Sequence, residues 1–146
     1  MEIQTLQDVI RHSAAAYSEQ AAYRYKVKKE VVDKTYRELG EDSMAVSRMV
    51  ESLGMKGKHI AILGSTTYQW IVSFFGVTNS SSVAVPIDAQ LSAEAICELL
   101  ERADVEMLFF DELRADVAAM AGERCPRVRY IVSFQAETAR QGENGT

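Results

Sequence analysis

From residue 59 onward, short apolar runs alternate with single helix-like segments: His59–Leu63, Val83–Ile87, Glu106–Phe110 and Val128–Val132. No other feature restricts the fold as tightly. Each run has the length of a strand, and its apolar residues occupy both parities, as in strands covered by helices on both faces. Strands and helices in this alternation build βαβ units with right-handed crossovers. The expected fold class is α/β: a parallel, helix-covered βαβ sheet preceded by an N-terminal helix and a short β-hairpin.

The leading elements carry their own signals. Thr5-Leu6-Gln7-Asp8 starts a helix on which Leu6, Val9, Ile10, Ser13 and Ala14 recur at helical spacing. Ala22–Val27 alternates apolar and charged residues, and Glu30–Tyr36 pairs with it through Lys28-Lys29, a turn without Asn or Gly. Thr35 and Glu38 have the spacing of a capping box, Leu39, Ser43, Val46, Val50 and Leu53 line one face, and Gly54 ends that helix in a left-handed conformation.

Further along, Gly64-Ser65-Thr66-Thr67 leads into a helix carrying Trp70, Ile71 and Phe74, with Thr66 expected as N-cap and Gln69 as its capping-box partner. Ser92 caps the next helix, with Leu91 and Ile96 placed as a hydrophobic staple. Asp111 caps one that ends at Gly122. Residues 1–133 form one α/β unit, and 134–146 form a polar tail expected to fray.

Charge removes some functions. The formal net charge is −5 at pH 7, without the basic stripe of a nucleic-acid surface. The longest apolar stretch, around Trp70–Val77, is broken by Ser73 and too short to span a bilayer. The start, MEIQTLQD, lacks the basic and apolar regions of a secretory signal, and Cys97 and Cys125 have no metal-binding spacing. They read as reduced thiols in a cytoplasmic protein.

Candidate chemistry is thin. Gly64–Thr67 lies where a strand hands over to a helix, a place where backbone N–H groups can hold an anion, but it lacks the ending of a P-loop. Asp88 and Asp111 each follow a strand at the carboxyl edge, as turn and cap residues or as the acids of a receiver-like module. His12 and His59 have no ligand-spaced partners; His59 is expected at the edge of the sheet. Trp70, Phe74 and Phe75 read as core packing, with the lining of an apolar ligand channel as the alternative. No catalytic, cofactor-binding or metal residue is assigned.

The order of the pieces is more specific than the pieces. TYRELGEDSMAVSRMVESLGMKGKHIAIL resembles the opening of the adenylate-forming enzymes, the AMP-dependent synthetase and ligase superfamily. Thr35, Tyr36, Glu38 and Leu39, then Leu53, Gly54 and Gly57, then Ile60, Ala61 and Ile62 carry the likeness; Lys58 stands where Asp is common. Gly64, Tyr68 and Trp70, then Asn79, Val83, Ala84, Val85, Pro86 and Asp88, look closest to the long-chain fatty acid CoA ligase branch. Ser80, Ser81 and Ser82 replace the glycines usual there.

The resemblance implies carboxylate adenylation by ATP with Mg²⁺, then thioester formation with coenzyme A, in the complete enzyme. The family's phosphate loop, adenine-site motif, ribose-binding Asp and C-terminal Lys have no counterparts in this chain. The implied function is an N-terminal fragment of an ATP-dependent acyl-CoA synthetase, inactive alone, binding none of these cofactors itself and partnered by the remainder of the enzyme. Self-association through an exposed sheet edge is a further expectation. A stand-alone receiver-like module and a non-catalytic α/β binding module stay open as alternatives. The glycines usual at 80–82 also imply that Ser81 or Ser82 lies in a tight, largely buried turn at positive φ.

Overall fold

The computed structural model describes residues 2–135. In chain order the elements are α1 (Leu6–Ala16), β1 (Ala21–Val27), β2 (Glu30–Thr35), α2 (Tyr36–Ser52), β3 (His59–Leu63), α3 (Tyr68–Asn79), β4 (Val83–Ile87), α4 (Ala93–Arg102) and β5 (Val105–Phe110). A single 3₁₀ turn (Glu112–Arg114), α5 (Ala115–Arg124) and β6 (Tyr130–Ser133) follow. The hairpin β1–β2 is antiparallel, and the remaining strands form a parallel sheet in the order β4-β3-β5-β6. The expected α/β architecture is the one observed.

Local signals explain most boundaries. Thr5 and Asp8 form a reciprocal capping box at α1, and Thr35 and Glu38 form another at α2. The branched side chains of α2 are buried at Leu39, Val46 and Val50, while Gly54 closes the helix at φ 73°. Lys28 accepts a left-handed conformation, φ 58°, to turn the hairpin without glycine.

Two layers of helices cover the sheet. On one face, Ile60, Ile62, Met107 and Phe109 pack with Ile10, Val50, Val72 and Val77 from α1, α2 and α3. On the other, Ala61, Leu63, Leu108 and Phe110 pack with Ile96, Leu100 and Val117 from α4 and α5. Successive residues of β3 thus serve opposite cores, the reason its apolar run is unbroken. Each fully buried Leu, Ile or Val contributes about 1.5–3 kcal/mol of transfer free energy.

β3 leads to β4 on one side, and the chain then returns past β3 to β5. Reversing direction with right-handed crossovers places α3 and α4 on opposite faces. β4 is an outer strand. The Val83 N–H donates to the Lys58 carbonyl, 2.9 Å, so Val83, Val85 and Ile87 turn their backbone groups toward β3 and Ala84 and Pro86 turn theirs outward. Proline, lacking an N–H, costs the ladder nothing there.

Several boundaries differ from the sequence reading. Thr67, not Thr66, caps α3: its hydroxyl accepts from the Trp70 N–H at 3.3 Å, and no capping box forms with Gln69. Thr66 is held instead by the Tyr23 hydroxyl, which donates to its carbonyl at 3.1 Å. Asp111 caps the 3₁₀ turn, and α5 runs past Gly122 to Arg124, because the Cys125 N–H still reaches the Ala121 carbonyl at 2.9 Å. Pro126 then forces the exit. Phe134 is buried in the core on the α1–α3 face, so order extends one step into the stretch expected to fray; residues 136–146 of that stretch lie outside the described residues.

The three serines form a polar stitch. The Ser80 hydroxyl lies 2.7 Å from the Val77 carbonyl oxygen and 2.9 Å from Ser82 Oγ. Ser82 Oγ lies 3.1 Å from the Met55 carbonyl oxygen and accepts from the Gly57 N–H at 3.2 Å. The α3–β4 turn is thereby tied to the α2–β3 turn. Ser81 takes the expected positive φ, 59°. It is exposed while Ser80 is buried, so only part of the turn matches the expectation of burial.

Candidate functional site at the carboxyl edge of the sheet

In an open parallel sheet, ligands bind where neighbouring strands send their connections to opposite faces. Here that place lies between β3, whose chain leaves into α3, and β5, whose chain leaves into α5 on the other face. Gly64 and Asp111 stand at the two strand ends. The Asp111 N–H donates to the Leu63 carbonyl, 2.9 Å, which extends the ladder by one bond.

The crevice is filled by the protein's own atoms. A Cβ on Gly64 would meet Asp111 Cβ at 2.9 Å and Phe134 Cε2 at 3.0 Å. Gly64 is therefore needed for close approach of the two strand ends. Its neighbours are already occupied: the Thr67 hydroxyl accepts from Trp70, and the Thr67 N–H donates to the Ser65 carbonyl at 2.8 Å. The buried Asp111 presents a carboxylate beside the loop, and its Oδ1 accepts from the Leu113 N–H at 3.0 Å. An anion at this loop would meet the Asp111 carboxylate instead of a Lys, Arg or Mg²⁺ clamp, which disfavours a nucleoside phosphate here.

Asp88 and Asp111 are not brought together as an acidic pair. β3 separates their strands; Asp88 is exposed and accepts from the Gln90 N–H at 2.9 Å. This favours the turn-and-cap reading over a receiver-like site. His59 lies on an inner strand, not at the sheet's edge, and its Nδ1–H donates to the Ala103 carbonyl at 2.7 Å. His12 lies edge-on to the ring of Tyr17, 6.0 Å between centroids. Among the described residues, no three His, Cys, Asp or Glu side chains gather as metal ligands.

Trp70 and Phe74 stack at 5.5 Å on α3, half-buried against the core on the α1–α3 face. With Phe75 they pack against that core, as the core-packing reading expects.

Sequence reasoning missed Arg114. Its Nη1 donates to the carbonyls of Ala89 at 2.6 Å and Leu91 at 2.8 Å, while Nε pairs with Asp116 at 3.1 Å. The hydrogen bond from Arg114 holds the Asp116 carboxyl below the ordinary range. One guanidinium thus locks the loops after β4 and β5 together. Next to it, Leu113 stands 83% exposed. The signal was present only as a charged residue in the first turn after β5. Hydrogen bonds from Arg114 make this edge a tied wall of loops.

Comparisons with known proteins place this wall in a family. A family model described as AMP-binding enzyme matches residues 10–145. The D-alanine–D-alanyl carrier protein ligase of Streptococcus equi is 25% identical over 89 residues, covering 60% of this chain and 17% of that protein. The N-terminal domain of FACL13 from Mycobacterium tuberculosis superposes with a TM-score of 0.83 at 18% identity, over 94% of this chain and 36% of that one. A Mycobacterium tuberculosis fatty acyl CoA synthetase gives 0.80 at 20% identity, over 92% and 27%. At these identities the two structures speak to fold. The chain spans under a fifth of the curated relative and about a quarter to a third of the structural neighbours.

Proposed function

The chain belongs to the AMP-binding enzymes, and from that membership we propose that it is the N-terminal α/β segment of an ATP-dependent acyl-CoA synthetase. In the complete enzyme, a carboxylate attacks the α-phosphate of ATP, pyrophosphate leaves, and the thiol of coenzyme A takes the acyl group. The segment's part is architectural: it walls the substrate or nucleotide cleft with its carboxyl edge and performs no chemistry alone. ATP, Mg²⁺ and coenzyme A are held by apparatus that this chain lacks. Its partner is the remainder of the same enzyme, in the cytoplasm, and its outer strands give it a tendency to self-associate when alone.

One observation carries the reading. The family match runs through residues 10–145, yet the switch-point crevice is closed by Gly64, Asp111 and Phe134. The ordered motifs that resemble the long-chain branch, and the likeness to fatty acyl-CoA synthetase structures, favour a fatty acid as the acyl donor. The D-alanine-activating relative makes a small amino acid the competing substrate class.

The test is ATP–pyrophosphate exchange by the purified 146-residue chain. No exchange above a heat-denatured control is expected with palmitate, octanoate or D-alanine. Exchange that follows the protein through successive columns would overturn the architectural reading, and its acid dependence would name the substrate.

A further inference from the structure

Away from the carboxyl edge, α1 and α2 line an open groove of about 520 Å³ that reaches Asn79 at the last turn of α3. Small-molecule sites commonly occupy about 300–1,000 Å³. The seam between the helices is built from small residues: a Cβ on Gly40 would stand only 3.0 Å from Ala14 Cβ. Longer side chains rise on either side of it. Ile10 is buried, whereas Met44 on α2 is 45% exposed beside the seam.

The charges lining this groove are unbalanced. Arg37 bonds Glu41 at 3.4 Å and Glu19 at 3.1 Å, so its charge is met. Arg11, from α1, and Arg48, from α2, form no ion pair among the described residues. Two guanidinium groups without an ion pair thus line one groove of a chain whose net charge is −5. Guanidinium forks match the planar carboxylate and the phosphate oxygens. Methionine adapts its shape to varied apolar surfaces.

We propose that this groove binds an organic anion, with one carboxylate or phosphate group held by Arg11 and Arg48 and an apolar body covering Met44 and Ile10. The site lies apart from the sheet's carboxyl edge. It does not depend on the acyl-CoA synthetase reading, because it uses no residue of that edge.

The test titrates the intact chain with 4-phenylbutyrate, phenyl phosphate, 4-phenylbutanol and inorganic phosphate, followed by NMR of the Met44 methyl and the arginine Nε–H signals. Both aromatic anions should shift Met44, Arg11 and Arg48 saturably. The alcohol and inorganic phosphate should bind at least tenfold more weakly. The tighter of the two anions identifies the head group. The double variant Arg11→Gln/Arg48→Gln should lose at least tenfold in affinity with an unchanged Tm, and Met44→Glu should lose as much by adding a like charge. An alcohol that binds as tightly as the anions would overturn the proposal. So would full affinity in both variants, shifts confined to other elements, or no binding at all.

Discussion

Gly76 on α3 sits so close to Val46 on α2 that a Cβ on Gly76 would stand 2.5 Å from both Cβ and Cγ1 of Val46. The Ser43 carbonyl oxygen would be 3.0 Å away. Backbone and a branched side chain fill this space, and neither can rotate aside. Gly76→Ala must push the two helices apart, at an expected cost of about 1–3 kcal/mol. Gly122→Ala is the control. There a Cβ would meet Ile131 Cδ1 at 3.9 Å, ordinary contact, so replacing this helical glycine should gain up to about 1 kcal/mol. Urea midpoints that move in opposite directions would bear this out; equal shifts would refute the tight crossing.

Ser81 holds φ 59° without the freedom of glycine. A left-handed L-residue costs roughly 1–2 kcal/mol, part of which the greater unfolded-state entropy of glycine takes back. Ser81→Gly should therefore stabilise by about 1 kcal/mol. Its hydroxyl has little to lose, since Gln7 Nε2 approaches only to 3.5 Å. Thermal denaturation of the variant checks the sign, and a lower Tm would reject the strain account.

The Tyr68 hydroxyl donates to Asp42 Oδ2 at 2.6 Å, a part-buried contact that joins α2 to α3. Burial first, and the Asp42 carboxylate second, push the phenol well above its ordinary pKa. The raised value means that the neutral phenol is the form the fold stabilises, so this contribution is full below the ordinary tyrosine pKa and fades only in strong alkali. In an ultraviolet titration, one of the 6 tyrosines should resist ionisation until the protein unfolds. Tyr68→Phe should remove that late step and cost about 1–2 kcal/mol by leaving the carboxylate without its donor. Six tyrosines ionising together in the folded protein would contradict the arrangement.

Cys97 and Cys125 are both buried, and the Cys125 thiol lies 3.7 Å from the Cys97 carbonyl oxygen. Burial, reinforced by the neighbouring Cys97, pushes Cys125 up to about 11 from 9.0. The folded state therefore holds its proton more tightly than the unfolded state. Its stabilising contribution is full below pH 9 and is lost as pH rises from about 9 to 11. Cys125→Ala should flatten the fall in stability across that window. At pH 8, a thiol-specific disulfide reagent should find two reactive thiols after denaturation and far slower reaction before it. Rapid reaction of both thiols in the folded chain would contradict their burial.

What the sequence disclosed is what neighbouring residues decide between themselves. His59–Leu63 and Val83–Ile87 were legible to the residue because an apolar run bounded by polar turns admits few other conformations. The Thr35–Glu38 box was legible because both partners lie within one turn. Thr66 and Thr67 are chemically alike, and a tyrosine more than forty residues earlier decided which became the cap. The same holds for the Ser82–Met55 stitch and for Arg114, whose acceptors lie on another loop. Gly76 carries no side chain from which its close approach could be read. The candidate site was least legible, since whether a strand end is open or filled depends on Phe134, far from Gly64 in sequence.

The strand order β4-β3-β5-β6 also bears on how the molecule is made. β3, synthesised first, lies inside the sheet; β4 and β5 each join it, and β6 joins β5. Every arriving strand finds its partner already outside the ribosome. No strand has to wait, unpaired and sticky, for a neighbour encoded far downstream. The sheet can grow outward from its middle at the pace at which its own strands emerge.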